Sequence, residues 1–142
     1  MSERKMRFIR WAPLTAVAAL AAAGCSGGPT SIREVDDPVP GTATVEVTSN
    51  PDGATAFVLT VSGGAVTDVR GATGTVLFWE PTPGGGKAVA LTSGPASGAL
   101  LSFQVADGSR LGQYYAQPLQ AADRRNEVLA ASTVTLTVRP TN

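Results

Sequence analysis

Between Thr42 and Arg139 the apolar positions recur with a period of two, the period of a β-strand with one face buried and one exposed. In Thr133–Arg139, Val134, Leu136 and Val138 alternate with threonines, so one face is suited to a core and the other is polar yet still β-favouring. Ala43, Val45 and Val47 alternate in the same way with Thr42, Thr44, Glu46 and Thr48, and this strand stops at the turn formers Ser49-Asn50-Pro51-Asp52-Gly53. Phe57, Leu59 and Val61 share one face of the next segment, which ends at Ser62-Gly63-Gly64. Further strands are expected over 65–69, 75–80, 87–92, 100–105 and 113–119.

The separators are Gly71, Gly74, the run Pro81 to Gly86, Ser93-Gly94-Pro95 and Asp107-Gly108-Ser109. Short strands punctuated by Gly and Pro about every 8 to 12 residues predict an all-β fold of two packed sheets, an antiparallel β-sandwich of about eight strands. Only 119–131, rich in Ala, Gln, Arg, Glu and Leu, competes as a short helix. Asn126 interrupts its apolar stripe of Leu119, Ala122 and Leu129, so a hairpin with Asp123-Arg124-Arg125-Asn126 at its tip is preferred.

The order of Phe57-Val58-Leu59-Thr60-Val61, then Ala65-Val66-Thr67-Asp68-Val69, then Gly98-Ala99-Leu100-Leu101-Ser102-Phe103-Gln104-Val105 and a closing Thr/Val strand resembles the cohesin-type, immunoglobulin-like β-sandwich over about residues 43 to 139. That resemblance implies a jelly-roll or Greek-key sandwich. In the best-known members of the family it also implies binding to a partner module at a cell surface, although no partner-contact residue of the family is matched here.

The first 41 residues have a different character. Arg4, Lys5, Arg7 and Arg10 precede an almost wholly apolar run from Trp11 to Ala23, the pattern of an export signal and too short for a membrane span, which takes about 20 residues. The run closes on Leu20-Ala21-Ala22-Ala23-Gly24-Cys25, which resembles the lipobox of bacterial lipoproteins. By that resemblance residues 1–24 are removed and Cys25, the chain's one cysteine, carries the lipid that holds the protein to a membrane. Ser26 in place of Asp favours the outer membrane by the same resemblance. Residues 25–41, with Gly, Ser, Pro and charge but no periodicity, read as a flexible tether, leaving 42–142 as a single domain.

Little in the sequence points to catalysis. The chain lacks histidine, and its one cysteine is assigned to lipid, which removes the usual general base and the thiolate and imidazole metal ligands. Gly84-Gly85-Gly86-Lys87 lacks the frame of a phosphate loop, no calcium-loop motif occurs, and no cofactor is expected. Removing the leader takes away four basic residues and one glutamate, leaving 7 bases against 10 acids; this acidic balance does not favour a nucleic-acid partner. Glu80, Asp68, Asp107, Asp123 and Glu127 could in principle supply the two carboxylates of a glycan hydrolase, but each falls at a strand end or turn where a solvated charge is ordinary.

Aromatic side chains give the other route to function. Phe78 and Trp79 are consecutive in a strand, so they cannot both face one core, and one of Tyr114 and Tyr115 must likewise point outward. Trp79, Tyr114 and Tyr115 are therefore the expected contact residues for a protein or glycan partner. The chain is expected to be a lipid-anchored, non-catalytic binding module of the cell envelope. A structural component that joins other chains through a free β-edge is the alternative, and a two-carboxylate glycan hydrolase is the alternative of another class.

Overall fold

A computed structural model describes residues 37–141; the leader, Cys25 and most of the expected tether lie outside the described residues. Val35–Asn142 is one compact unit. Its strands are β1 (Gly41–Ser49), β2 (Ala56–Ser62), β3 (Thr67–Gly71), β4 (Thr75–Thr82), β5 (Gly85–Thr92), β6 (Gly98–Val105), β7 (Tyr115–Ala122), β8 (Val128–Leu129) and β9 (Thr135–Pro140). They form two antiparallel sheets, a four-stranded one in the order β3-β6-β1-β9 and a five-stranded one in the order β4-β5-β2-β7-β8. The all-β two-sheet sandwich expected from the period-two pattern is the observed fold, and 119–131 forms the β7–β8 hairpin rather than a helix.

The core lies where the alternating apolar residues of the two sheets meet. Val45 and Val47 of β1 and Leu101, Phe103 and Val105 of β6 oppose Phe57, Leu59 and Val61 of β2, and all are buried. Among the described residues the buried core belongs to this one compact unit, and removal of its apolar surface from water is the main force that folds it. Inward positions of β5 are small, Gly86, Ala88 and Ala90, and the larger Leu77 and Trp79 of neighbouring β4 pack against the same core.

One bulge adjusts the five-stranded sheet. Val58 pairs with Gln120 but Leu59 pairs with Pro118, so Leu119 is an extra residue bulged out of β7. A proline cannot donate to a ladder, and a bulge is one of the few places a sheet tolerates it. The strand expected from 113 begins later, because Gly108–Gln113 winds into a 3-10 turn whose first turn is capped by the Asp107 carboxylate accepting from the Ser109 N–H. The strand expected over 65–69 is displaced to Thr67–Gly71, and the Ala65 carbonyl instead accepts from the Tyr114 hydroxyl at 3.0 Å.

The chain enters the domain beside that 3-10 turn. Gly108 N–H donates to the Val39 carbonyl at 2.7 Å, and Gly41 pairs with Val105. The opposite end of the sandwich is closed by Asn50, whose side-chain amide donates to the carbonyls of Ala54 and Ala96 while its Oδ1 accepts from the Ala54 N–H. This one side chain ties the β1–β2 turn to the loop before β6.

Candidate functional site

The two outer faces of the sandwich differ in chemistry. On the four-stranded sheet, Thr44, Glu46 and Thr48 of β1 point outward and are matched across the sheet: Thr44 hydrogen-bonds Thr141, Thr48 hydrogen-bonds Thr137, and Glu46 pairs with Arg139 at 3.1 Å. This is an ordinary solvated surface.

The outer face of the five-stranded sheet is apolar over its half farther from the point where the chain enters. Backbone register places Val76, Leu91, Ala56, Ala122 and Val128 in one row across all five strands. Phe78, Val89, Val58 and Gln120 form the next row. Phe78 is 61% exposed, Val76 57% and Val128 84%, so no loop covers them within the domain. The rows beyond are polar: Glu80, Lys87, Thr60 and Gln117, then Thr82, Gly85, Ser62 and Tyr115. A shallow depression of ≈ 170 Å³ lies between β5, β2 and β7, bordered by Val58, Val89, Gln120 and Val128. Isolated exposed apolar residues are normal, but contiguous rows of them on one face mark an interaction surface.

The three aromatic side chains expected at a contact surface separate. Trp79 faces inward, packed against the core over Gly86, and the exposed ring of its pair is Phe78. Tyr114 is also inward, with its ring centroid 5.6 Å from that of Phe103 and its hydroxyl satisfied by the Ala65 carbonyl. Tyr115 points out, 58% exposed, but at the polar corner of the face. Three strand spacings and four residues along the sheet put it roughly 20 Å from Phe78, so the two rings form no common platform. Cys25 lies outside the described residues.

The acids are placed by turn chemistry. Asp68 pairs with Arg70 at 2.9 Å, and Asp123 accepts from the N–H groups of Arg125 and Glu127 to hold the β7–β8 turn. Asp107 accepts from the Ser109 hydroxyl and N–H and pairs with Arg110, and these contacts, the hydroxyl first, lower its pKa below the usual aspartate range against the opposing effect of desolvation. Glu80 stands on the outer face beside Lys87. Among the described residues no group of three or more His, Cys, Asp or Glu converges as a cation site. A second depression, ≈ 220 Å³, is bordered by the hydroxyl residues Thr73, Thr75, Thr92, Ser93 and Ser97 at the end of the sandwich away from the chain's entry point.

No protein-family model matches this chain, and no curated protein or solved structure matches it. The apolar sheet face is thus the feature on which a functional reading rests. Its signal in the sequence is the loss of alternation: Val76-Leu77-Phe78-Trp79, Ala88-Val89-Ala90-Leu91 and Ala56-Phe57-Val58-Leu59 are apolar at every position, which means that both faces of those strands are apolar.

Proposed function

We propose that the protein is a lipid-anchored, extracytoplasmic recognition module of the bacterial envelope, non-catalytic, that binds a partner through the apolar outer face of its five-stranded sheet. The observation that carries this is the pair of apolar rows centred on Phe78, Val89 and Val58, exposed on one face of a domain whose other outer face is hydrogen-bonded and polar. A sheet face built of Val, Leu and Phe with few hydrogen-bonding groups suits an apolar protein surface better than a sugar, which needs polar partners for its hydroxyls. Cys25 supplies the anchor in this reading, and the stretch after it gives the domain reach.

Two measurements test it. Cys25→Ser should move the protein from membranes to the soluble fraction; continued membrane association would refute the anchor. The Val35–Asn142 unit, passed over immobilised envelope extract, should be retained, and Phe78→Ser should abolish retention while Trp79→Phe keeps it. Equal retention of the Phe78 variant would refute the surface.

The free edge of β4 supports a second reading, in which another chain adds a strand to the sheet. β4 ends the five-stranded sheet and is eight residues long, although Pro81 removes one backbone donor from it.

A further inference from the structure

We infer that the hydroxyl-bordered depression at the end of the sandwich away from the chain's entry point is a second binding site, which takes one sugar ring of a neutral glycan. It lies apart from the apolar face and does not depend on the reading of that face.

Two loops frame the depression, residues 73–74 between β3 and β4 and residues 93–97 between β5 and β6, together with Thr75 and Thr92, which face each other in the β4–β5 register. Its ≈ 220 Å³ is below the roughly 300 to 1,000 Å³ of sites that enclose a drug-sized ligand, so it suits a single ring. No Asp, Glu, Lys or Arg borders it.

The hydroxyls set the chemistry of the ligand. Thr92 Oγ1 is occupied by the carbonyls of Gly94 at 2.6 Å and Thr55 at 3.1 Å. Among the described residues the hydroxyls of Thr73, Thr75, Ser93 and Ser97 have no hydrogen-bond partner within the protein, although all four border one concavity. On the outer face of the four-stranded sheet, by contrast, threonine hydroxyls pair with one another, Thr44 with Thr141 and Thr48 with Thr137. Each hydroxyl offers one donor and two acceptor lone pairs. Four of them around an uncharged depression match a ligand that both donates and accepts, which is the chemistry of a sugar. A phosphate or carboxylate would use their donors alone and find no bordering cation, and a metal ion would find no carboxylate.

The walls are already in place. The Ala72 N–H donates to the Leu100 carbonyl at 3.0 Å and the Thr75 N–H to the Ala72 carbonyl at 2.9 Å, which fixes the β3–β4 loop. The other loop is held by the Thr92 N–H on the Thr55 carbonyl at 2.8 Å, the Ala96 N–H on the Ala54 carbonyl at 3.1 Å and the Asn50 amide on the Ala96 carbonyl at 3.0 Å. Ala96 is buried, and Arg124, from the β7–β8 hairpin, braces the loop by donating to the Ser93 carbonyl at 3.0 Å. A site whose walls are ordered beforehand loses little conformational freedom on binding.

No aromatic ring borders the depression, so hydroxyl contacts alone hold the ligand and a monosaccharide is expected to bind weakly, with a Kd of about 1 to 10 mM. Several copies on one surface would hold a polymeric glycan more firmly than one copy holds a single ring.

Amide NMR titration of the Val35–Asn142 unit, whose described core is its own, tests this with glucose and N-acetylglucosamine, each to about 50 mM, beside sodium sulfate and magnesium chloride at equal concentration. The expected result is saturable shifts at Thr73, Gly74, Ser93, Gly94 and Ser97 with at least one sugar and with neither salt. Thr73→Val and Ser97→Ala each remove an exposed hydroxyl from one wall; each should weaken binding about threefold and the two together about tenfold, with the thermal melt unchanged. Thr73→Ser, which keeps the hydroxyl, should bind like the parent. No saturable shift with either sugar overturns the inference. So do shifts caused by sulfate or magnesium in place of sugar, sugar shifts confined to the apolar face, and a folded Thr73→Val, Ser97→Ala double variant that binds as the parent does. Phe78→Ser should leave sugar binding intact whatever it does to envelope retention; sugar binding lost in that variant would overturn the separation of the two sites.

Discussion

The indole of Trp79 occupies the space above Gly86: a Cβ added at Gly86 would collide with the six-membered ring of Trp79. Trp79 on β4 pairs with Ala88 on β5 and leans over the neighbouring small position, so a strand poor in side-chain volume accepts the largest side chain of the sheet. This contact turns Trp79 inward and leaves Phe78 outside.

Gly86→Ala is expected to destabilise the domain by about 1 to 3 kcal/mol through overpacking. Trp79→Ala should cost about 2 to 4 kcal/mol, somewhat below the range for a fully buried aromatic because the ring is only partly covered. Urea midpoints with an unchanged slope would confirm both. Their sum should exceed the cost of the double variant, since removing the ring relieves the clash.

Phe78→Ser should behave in the opposite way. Its side chain is largely in water, so stability should change by less than about 1 kcal/mol, while solubility rises because an exposed apolar group is removed. A large loss of stability in a thermal melt would show that Phe78 supports the fold.

Asn50→Ala should cost about 1 to 3 kcal/mol, because it leaves the Ala54 N–H and the Ala96 carbonyl without their side-chain partner. Asn50→Asp should also destabilise, since a carboxylate cannot donate to the two carbonyls. Hydrogen exchange at the Ala54 amide, faster in Asn50→Ala, which removes its acceptor, than in Asn50→Asp, which keeps one, would localise the effect to this end of the sandwich.

The Asp107 carboxyl should titrate below the ordinary aspartate range. A lowered native pKa means that its contribution to stability is complete above the unfolded-state value and is lost as the pH falls through the native one. Because the Ser109 hydroxyl is the foremost cause, Ser109→Ala should move the midpoint upward, and Ser109→Thr should largely restore it. Carbon-detected NMR titration of the carboxyl reads this directly.

Much of the sandwich could be read from alternation. The strands around Val45, Leu59 and Phe103 each bury one face, and a one-residue slip would expose their whole apolar set, so their phase is fixed locally. The β7–β8 hairpin was equally legible, because Asp123 and Asn126, the latter at φ 62, are suited to the turn they make. The choice between Phe78 and Trp79 was not. Both are large and aromatic, and what decides between them is the size of residues across the sheet on β5, a non-local fact carried by Gly86 and Ala88. The capped 3-10 turn at Gly108–Gln113 likewise overrode the strand expected from 113, through a side-chain bond that periodicity does not report.

Methyl NMR of the Val35–Asn142 unit during addition of envelope extract tests the central claim most directly. Signals of Val58, Val76, Val89, Leu91 and Val128 should broaden or shift together, while those of Val45, Leu59 and Leu101 in the core stay in place. Changes confined to other residues, or no change with the domain folded, would contradict the assignment of the apolar sheet face as the recognition surface.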